Sequence, residues 1–166
     1  MPILREGELD IISNSPEQTK RMGMRLGRLL QAGDIICLSG DMGAGKTVFS
    51  SGIGQGWGSR HRVTSPTYNL VHQHTRPNHN TVLYHLDCYR MQSIDEIDSI
   101  GFDDIIDSNG IVLIEWAERI EDALPVNHLW IDLRVVEETR RNFILEARGD
   151  HYQHLVDTFR NEIYGV

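Results

Sequence analysis

One short segment of the chain combines glycines, a lysine and a threonine at a spacing that serves phosphate chemistry. Residues 40–47 read GDMGAGKT, the G-x-x-x-x-G-K-T pattern, and they follow the apolar run Ile35 to Leu38. Glycines let successive backbone N–H groups turn toward an anion, Lys46 reaches the β- and γ-phosphates, and the Thr47 hydroxyl suits magnesium. The pattern therefore predicts a nucleoside triphosphate site built from Asp41, Met42, Gly43, Ala44, Gly45, Lys46 and Thr47.

Two carboxylates farther along the chain follow apolar, strand-like runs. Glu115 comes directly after Ile111 to Ile114, a run that is apolar without alternation, and Asp87 ends the run that starts at Val82. In folds with a phosphate loop, a carboxylate at the carboxyl end of a neighbouring strand helps to hold magnesium or its waters, or polarises the attacking water. Either Glu115 or Asp87 fits this description, and the pattern leaves the metal and water-positioning roles open between them.

A third candidate segment, Thr64 to Tyr68, follows the helix that the phosphate loop begins. In phosphate-loop switches, a Thr or Ser in this region senses the γ-phosphate and its magnesium, and a proline stiffens the loop that presents it. An ordinary loop that leads into a strand fits the same local pattern equally well.

The elements that must position these groups alternate between strands and helices. The patterns predict strands at 9–12, 34–39, 68–74, 82–87, 111–114, 129–136 and 143–147, and helices at 16–31, 47–55, 94–100 and 150–163. A polar turn at 76–80 joins two of the strands as a hairpin, and the antiparallel orientation is left open for the last strand. This order predicts an α/β fold: a single P-loop NTPase-like domain with a mostly parallel central sheet, helices on both faces and an antiparallel hairpin beside the nucleotide strand.

Composition limits the setting in which such a site works. The chain has 166 residues, of which 40% are hydrophobic, and neither a signal-peptide pattern nor an apolar run of membrane-spanning length, so we expect a single soluble, cytosolic domain. Cys37 and Cys88 lack the C-x-x-C spacing of metal and redox sites, and we expect them to be reduced thiols in the core. A formal net charge of −8 argues against autonomous binding to nucleic acid, so any RNA role is expected to go through a partner.

Taken in order, four segments resemble the TsaE ATPases of bacterial tRNA threonylcarbamoyladenosine biosynthesis. The phosphate loop alone is shared by many NTPases, but S-P-T-aromatic, Y-H-x-D-x-Y-R and E-W in this order are specific. The matching segments lie within residues 40–116 and are Gly40 to Thr47, Ser65 to Val71, Tyr84 to Arg90, and Ile114 to Trp116.

The resemblance implies an ATPase that uses ATP and Mg²⁺ and works with the TsaB–TsaD pair. In that system TsaD transfers a threonylcarbamoyl group to adenosine 37 of tRNAs that read ANN codons, and TsaE does not perform the transfer. Matched by position, Lys46 would contact phosphate, and Thr47 and Glu115 would hold the magnesium. Asp87 and Thr67 would support hydrolysis.

Three further positions come from the resemblance alone. Trp116 would pack beside the site, and Thr19 and Arg141 match family positions near the nucleotide. For Thr19 a helix-surface role is favoured, and for Arg141 an ion pair. The chain departs from the family pattern at His72, where family members often carry a glutamate, which puts a carboxylate role at that position in doubt.

Two other functions share the phosphate loop. A small-molecule kinase would need an acceptor pocket and usually an Arg-rich lid, whereas the adjacent pair Arg140 and Arg141 begins a strand in the predicted order. A nucleotide-gated binding module with negligible turnover would use ATP only to stabilise one conformation. A GTP switch would normally carry an N-K-x-D motif, which the chain lacks.

Overall fold

A seven-stranded sheet organises the chain in the computed structural model, which describes residues 8–64 and 70–165. Its strands are β1 (Glu8–Ser13), β2 (Ile35–Ser39), β3 (Val71–His74), β4 (Leu83–Asp87), β5 (Ile111–Glu115), β6 (His128–Val135) and β7 (Arg141–Arg148). The order across the sheet is β1, β7, β6, β2, β5, β4, β3. The β6–β2, β2–β5 and β5–β4 pairs are parallel, and the remaining pairs are antiparallel. The centre of the sheet is therefore parallel, and both margins are antiparallel.

Helical segments cover both faces of this sheet. One face carries α1 (Pro16–Leu29), α2 (Lys46–Trp57) and α4 (Asp150–Tyr164), and the other carries 3₁₀ turns at Ile94–Ile100 and Ala117–Ala123 and the short helix α3 (Phe102–Asp107). Each face has its own apolar core. The predicted α/β class, with helices on both faces of a sheet whose centre is parallel, is confirmed, and the last strand is antiparallel.

The antiparallel hairpin lies one strand farther from the phosphate loop than the sequence predicted. β3 pairs with β4, but β5 lies between β4 and β2, so the prediction of a hairpin beside the nucleotide strand was wrong. All five residues of β5 are buried, and a strand that is apolar on both faces is stable only with strands on both sides and layers above and below. This position brings the carboxyl end of β5 next to the loop that follows β2.

Two helical segments on the second face are absent from the predicted order. Residues predicted as a loop before β5 form α3, which buries Phe102 and Ile105, and Ala117–Ala123 follows β5 directly. Each segment has only six or seven residues. Segments of about two turns contain too few apolar repeats for helical periodicity to stand out from a loop.

The position of α2 is fixed by a very close approach to α1. A Cβ added at Gly27 would lie 2.1 Å from the carbonyl oxygen of Ile53, and one added at Gly56 would lie 1.9 Å from that of Met24. The backbones of the two helices therefore touch where only glycine fits. Since the phosphate loop leads directly into α2, this packing also fixes the phosphate loop relative to the sheet.

Candidate functional site

The phosphate loop occupies the turn between the end of β2 and the start of α2. Gly45 precedes the helix with φ of +102°, a left-handed conformation that residues with a Cβ rarely adopt. The chain therefore turns straight into α2, and the first N–H groups of the helix face the mouth of the loop. These unpaired N–H groups and the helix dipole favour an anion at this end.

The Lys46 ammonium lies within the loop, in contact with backbone oxygens. Its Nζ donates to the carbonyl oxygen of Gly40 and, at 2.7 Å, to that of Asp41. It also stands 4.0 Å from the centre of the Trp116 ring, within cation–π range. Burial lowers the pKa of Lys46, and nearby carboxylates, led by Glu118, oppose that shift. Two backbone carbonyl oxygens therefore hold the ammonium inside the loop.

Glu115 joins the phosphate loop to the sheet. Its Oε1 accepts a hydrogen bond of 3.1 Å from the Thr47 hydroxyl, and its Oε2 lies 2.5 Å from Nε2 of His85 on the neighbouring strand. Both His85 and Glu115 are almost fully buried. A buried carboxylate is costly unless it is paired, so His85 compensates one oxygen and leaves the other directed at Thr47.

Asp87 ends β4 directly beside Glu115 in the strand register. Its Oδ1 accepts the backbone N–H of Tyr89 at 3.0 Å, which fixes the carboxylate at the rim of the site. Burial raises the pKa of Asp87, and the Tyr89 hydrogen bond opposes the increase. The two strand-end carboxylates therefore differ in setting: Glu115 is held inside the site, and Asp87 is half-buried at its edge.

Two aromatic side chains, Trp116 and Tyr89, line part of the site. Trp116 has a left-handed backbone, with φ of +58°, and its ring packs against Tyr89 with centroids 4.9 Å apart. The Arg119 guanidinium lies 5.6 Å from both ring centroids. The sharp turn at Trp116 directs its ring back over the phosphate loop instead of along the strand.

These groups enclose a cavity of about 380 Å³. Eight of the candidate residues line it, together with Val48 and Tyr89: Met42, Gly43, Gly45, Lys46, Thr47, Asp87, Glu115 and Trp116. Four other candidates lie outside this lining: Thr19, Asp41, Ala44 and Arg141. Thr67 lies outside the described residues.

Thr19 and Arg141 both support the loop from outside the cavity. The Thr19 side chain is buried, lies 2.7 Å from the Ser13 hydroxyl and packs near Gly45, so it is not on the helix surface that the sequence favoured. The Arg141 guanidinium donates to the carbonyl oxygen of Gly43 at 3.2 and 3.3 Å, and it also binds carbonyl groups of its own turn. Backbone carbonyl oxygens surround this arginine, and among the described residues no carboxylate forms the ion pair that the sequence favoured for it.

Sequence reasoning missed two polar groups at the site. His85 reads as one residue of an apolar strand, and its partner Glu115 is 30 positions away. Glu118 accepts the backbone N–H of Gly40 at 3.0 Å, a contact that carries no local sequence signal. The Y-H-x-D motif was the available pointer to His85, because it places a histidine two residues before a candidate carboxylate.

The oxygen donors at the loop fit a magnesium ion. In residues 8–64 and 70–165, no group of three or more His, Cys, Asp and Glu side chains could hold a metal by itself. Mg²⁺ usually takes one or two protein oxygens and completes its octahedron with phosphates and water. The Thr47 hydroxyl and Oε1 of Glu115, which already touch, have the chemistry for that role.

Fold and phosphate loop together define a P-loop nucleotide-binding protein of the α/β class. The family model described as "Threonylcarbamoyl adenosine biosynthesis protein TsaE" matches residues 13–143. The chain therefore belongs to the TsaE family. Among the described helices, none is both long and apolar enough to cross a membrane.

Individual relatives agree with this assignment. The tRNA threonylcarbamoyladenosine biosynthesis protein TsaE of Bacillus subtilis is 35% identical over 144 residues, which cover 86% of this chain and 88% of that protein. The protein of the same name from Treponema pallidum is 37% identical over 131 residues, covering 78% and 94%. The crystal structure of Bacillus subtilis YdiB matches with a TM-score of 0.77 at 29% identity and covers 93% of this chain and 95% of that one.

Proposed function

We propose that this chain is an ATP-binding and ATP-hydrolysing accessory protein of tRNA threonylcarbamoyladenosine biosynthesis. It acts in the cytoplasm with the TsaB–TsaD pair and reaches the modified tRNA through that pair. The observation that carries the proposal is the 3.1 Å contact between the Thr47 hydroxyl and the Glu115 carboxylate beside a complete phosphate loop. That contact joins a phosphate-binding element to an acidic strand end, the arrangement that nucleotide hydrolysis needs.

Each group in the cavity has a defined task in this proposal. Lys46 leaves the carbonyls of Gly40 and Asp41 and binds the β- and γ-phosphates, while the first N–H groups of α2 hold their oxygens. Asp87, fixed at the rim by the Tyr89 N–H, orients the attacking water. Trp116 and Tyr89 shield one side of the site from solvent.

Thr47 and Glu115 are the residues that would hold Mg²⁺. The ion, when bound, supplies positive charge against the phosphate oxygens. His85 keeps Oε2 of Glu115 occupied, so that Oε1 remains directed toward Thr47. Thr67, from the S-P-T segment, is proposed to assist hydrolysis by sensing the γ-phosphate.

The test is phosphate release from ATP by the protein alone, with the TsaB–TsaD pair, and with that pair plus tRNA. We expect weak turnover alone and a rise that requires the pair and is absent in Lys46→Ala. Unchanged phosphate release on adding the pair would contradict partner activation. ADP formed only with an added small-molecule acceptor would identify a kinase, and tight ATP binding without any turnover would identify a nucleotide-gated binding module.

A further inference from the structure

A second pocket, of about 360 Å³, lies between α1, α2 and the segment that follows α2. Every residue that lines it is polar: Lys20, Ser51, Gln55, Ser59, Arg60, His61 and Arg62. Lys20, Arg60 and Arg62 are permanent cations at neutral pH, and the lining contains no carboxylate. The pocket shares no lining residue with the phosphate-loop cavity. We call it the basic pocket.

The cations of the basic pocket have no acidic partners in the described structure. Across residues 8–64 and 70–165, no salt bridge within 4.0 Å involves Lys20, Arg60 or Arg62. The segment that carries the two arginines is nevertheless anchored, because the N–H of Arg60 donates to the carbonyl oxygen of Thr75 at 2.9 Å. The Ser59 hydroxyl also donates to the carbonyl oxygen of His61 at 2.6 Å. The backbone that carries the two arginines is therefore held in place, while their charges are not compensated by an acidic side chain among the described residues. This combination suits the binding of an anion.

Basic and acidic residues are concentrated in different parts of the chain, and Arg60 and Arg62 belong to the basic part. The 45 residues from Met42 to Leu86 contain four Lys and Arg and no Asp or Glu, a net charge of +4 with His neutral. The next 52 residues, from Asp87 to Glu138, contain fourteen Asp and Glu against three Arg, a net charge of −11. The overall charge of −8 therefore conceals a local basic surface, and it is the local potential that a bound anion experiences.

We propose that the basic pocket binds backbone phosphates of an RNA directly. Arginine forks and serine, glutamine and lysine donors are the groups that proteins direct at nucleic-acid phosphates. The inference rests on the proposed function at one point. Because the proposed pathway modifies tRNA, we take the anion to be RNA and not an acidic protein surface. It adds a direct RNA contact to the one made through the TsaB–TsaD pair.

The experiment measures the fluorescence anisotropy of a labelled tRNA titrated with the full chain at several KCl concentrations between 50 and 200 mM. The test variant carries Arg60→Gln and Arg62→Gln. The matched control carries Arg134→Gln and Arg160→Gln, two exposed arginines outside the pocket. Both double variants change the net charge from −8 to −10, so any difference between them reports position and not total charge.

We expect the test variant to bind tRNA at least about tenfold more weakly at 50 mM KCl, with the control close to wild type. The slope of log K against log[KCl] should fall by about 1.4 to 1.8 in the test variant, since two phosphate contacts are lost. ATP affinity, measured in parallel, should be unchanged in both variants. Retained ATP affinity would show that the substitutions in the basic pocket leave the phosphate-loop site intact.

Three outcomes would overturn the proposal. One is wild-type protein that gives no anisotropy change at 50 mM KCl. The second is an equal loss of tRNA affinity in the two double variants, which would assign binding to net charge alone. The third is unchanged tRNA affinity combined with lost binding of the test variant to immobilised TsaB–TsaD, which would identify the basic pocket as a docking site for an acidic protein. Failure of ATP hydrolysis with tRNA binding retained would reject the proposed function but not this inference.

Discussion

The phosphate-loop cavity and the basic pocket lie along the same helix, α2, and differ in the charges that line them. The first contains Lys46 together with Asp87 and Glu115, and its lysine is already hydrogen-bonded. The second contains cations only, and none of them is ion-paired within the described ranges. A cavity with both signs of charge suits a phosphate that arrives with a metal ion, whereas a surface with one sign suits a phosphodiester that arrives without one.

The helix itself explains part of this difference. Its N-terminus carries partial positive charge and favours the phosphates of a nucleotide, and its C-terminal end carries partial negative charge and tolerates a cluster of cations. Burial explains the rest. Lys46 and Glu115 in the phosphate-loop cavity are buried and must be paired before a ligand binds, whereas exposed Arg60 and Arg62 remain hydrated at little cost.

The largest expected effect comes from breaking the pairing in the first cavity at His85. His85→Leu leaves the buried carboxylate of Glu115 without its partner, and loss of one member of a buried pair costs about 3 to 5 kcal/mol. His85→Gln retains an N–H donor and should lose much less. The free energy of unfolding from urea titration gives both values. Equal stability of the two variants would show that the short His85–Glu115 contact does not contribute to stability.

Lys46→Ala tests whether the lysine is the principal phosphate cation. We expect ATP affinity to fall by about 10- to 100-fold, the value of a charge-assisted hydrogen bond of about 1.5 to 3 kcal/mol, and turnover to disappear. The control is Lys20→Gln, at the other lysine of the chain, which lies in the basic pocket and should leave ATP affinity unchanged. Isothermal titration that finds equal ATP affinity in wild type and Lys46→Ala would remove Lys46 from the site.

Glu115→Gln separates metal holding from phosphate binding. The amide keeps the size of the side chain and an acceptor for the Thr47 hydroxyl, so ATP should still bind. Magnesium-dependent hydrolysis should fall by at least about tenfold, because removing one electrostatic stabiliser of a transition state typically costs that much or more. Phosphate release over a range of MgCl₂ measures this. Wild-type turnover in the variant would move the acidic role to Asp87.

Sequence patterns correctly predicted those features of the site that depend on residues close together in the chain. The phosphate loop, the helix it begins and the two carboxylates at strand ends each depend on residues close in the chain, and all lie where the patterns placed them. The order of strands was predicted less well, because pairing β5 beside β2 depends on which buried strand fills the centre of the sheet. The contacts from Glu118 to Gly40 and from Arg141 to Gly43 span 78 and 98 positions, and nothing near either residue indicates its partner.

The last prediction concerns His74, a histidine that is only 7% exposed at the end of β3. Burial lowers the pKa of His74 to about 4, and the positive charges of His85, His72 and His61 lower it further. Since the unfolded chain takes up a proton near pH 6.5 and the folded chain does not, stability present above that pH is lost as the pH falls toward 4. Between pH 7 and pH 5, His74 should account for about 2 kcal/mol of lost stability.

Urea titrations of wild type and His74→Gln across this pH range isolate that contribution. The variant should show the shallower pH dependence, because glutamine takes up no proton when the chain unfolds. Parallel curves would mean that His74 is protonated equally in the folded and unfolded chains. Repeating the titrations on protein with Arg60→Gln and Arg62→Gln sharpens the comparison of the two pockets. If the cations of the basic pocket add to the field at His74, their removal from a chain that keeps His74 raises its pKa, and the pH dependence becomes shallower than that of wild type.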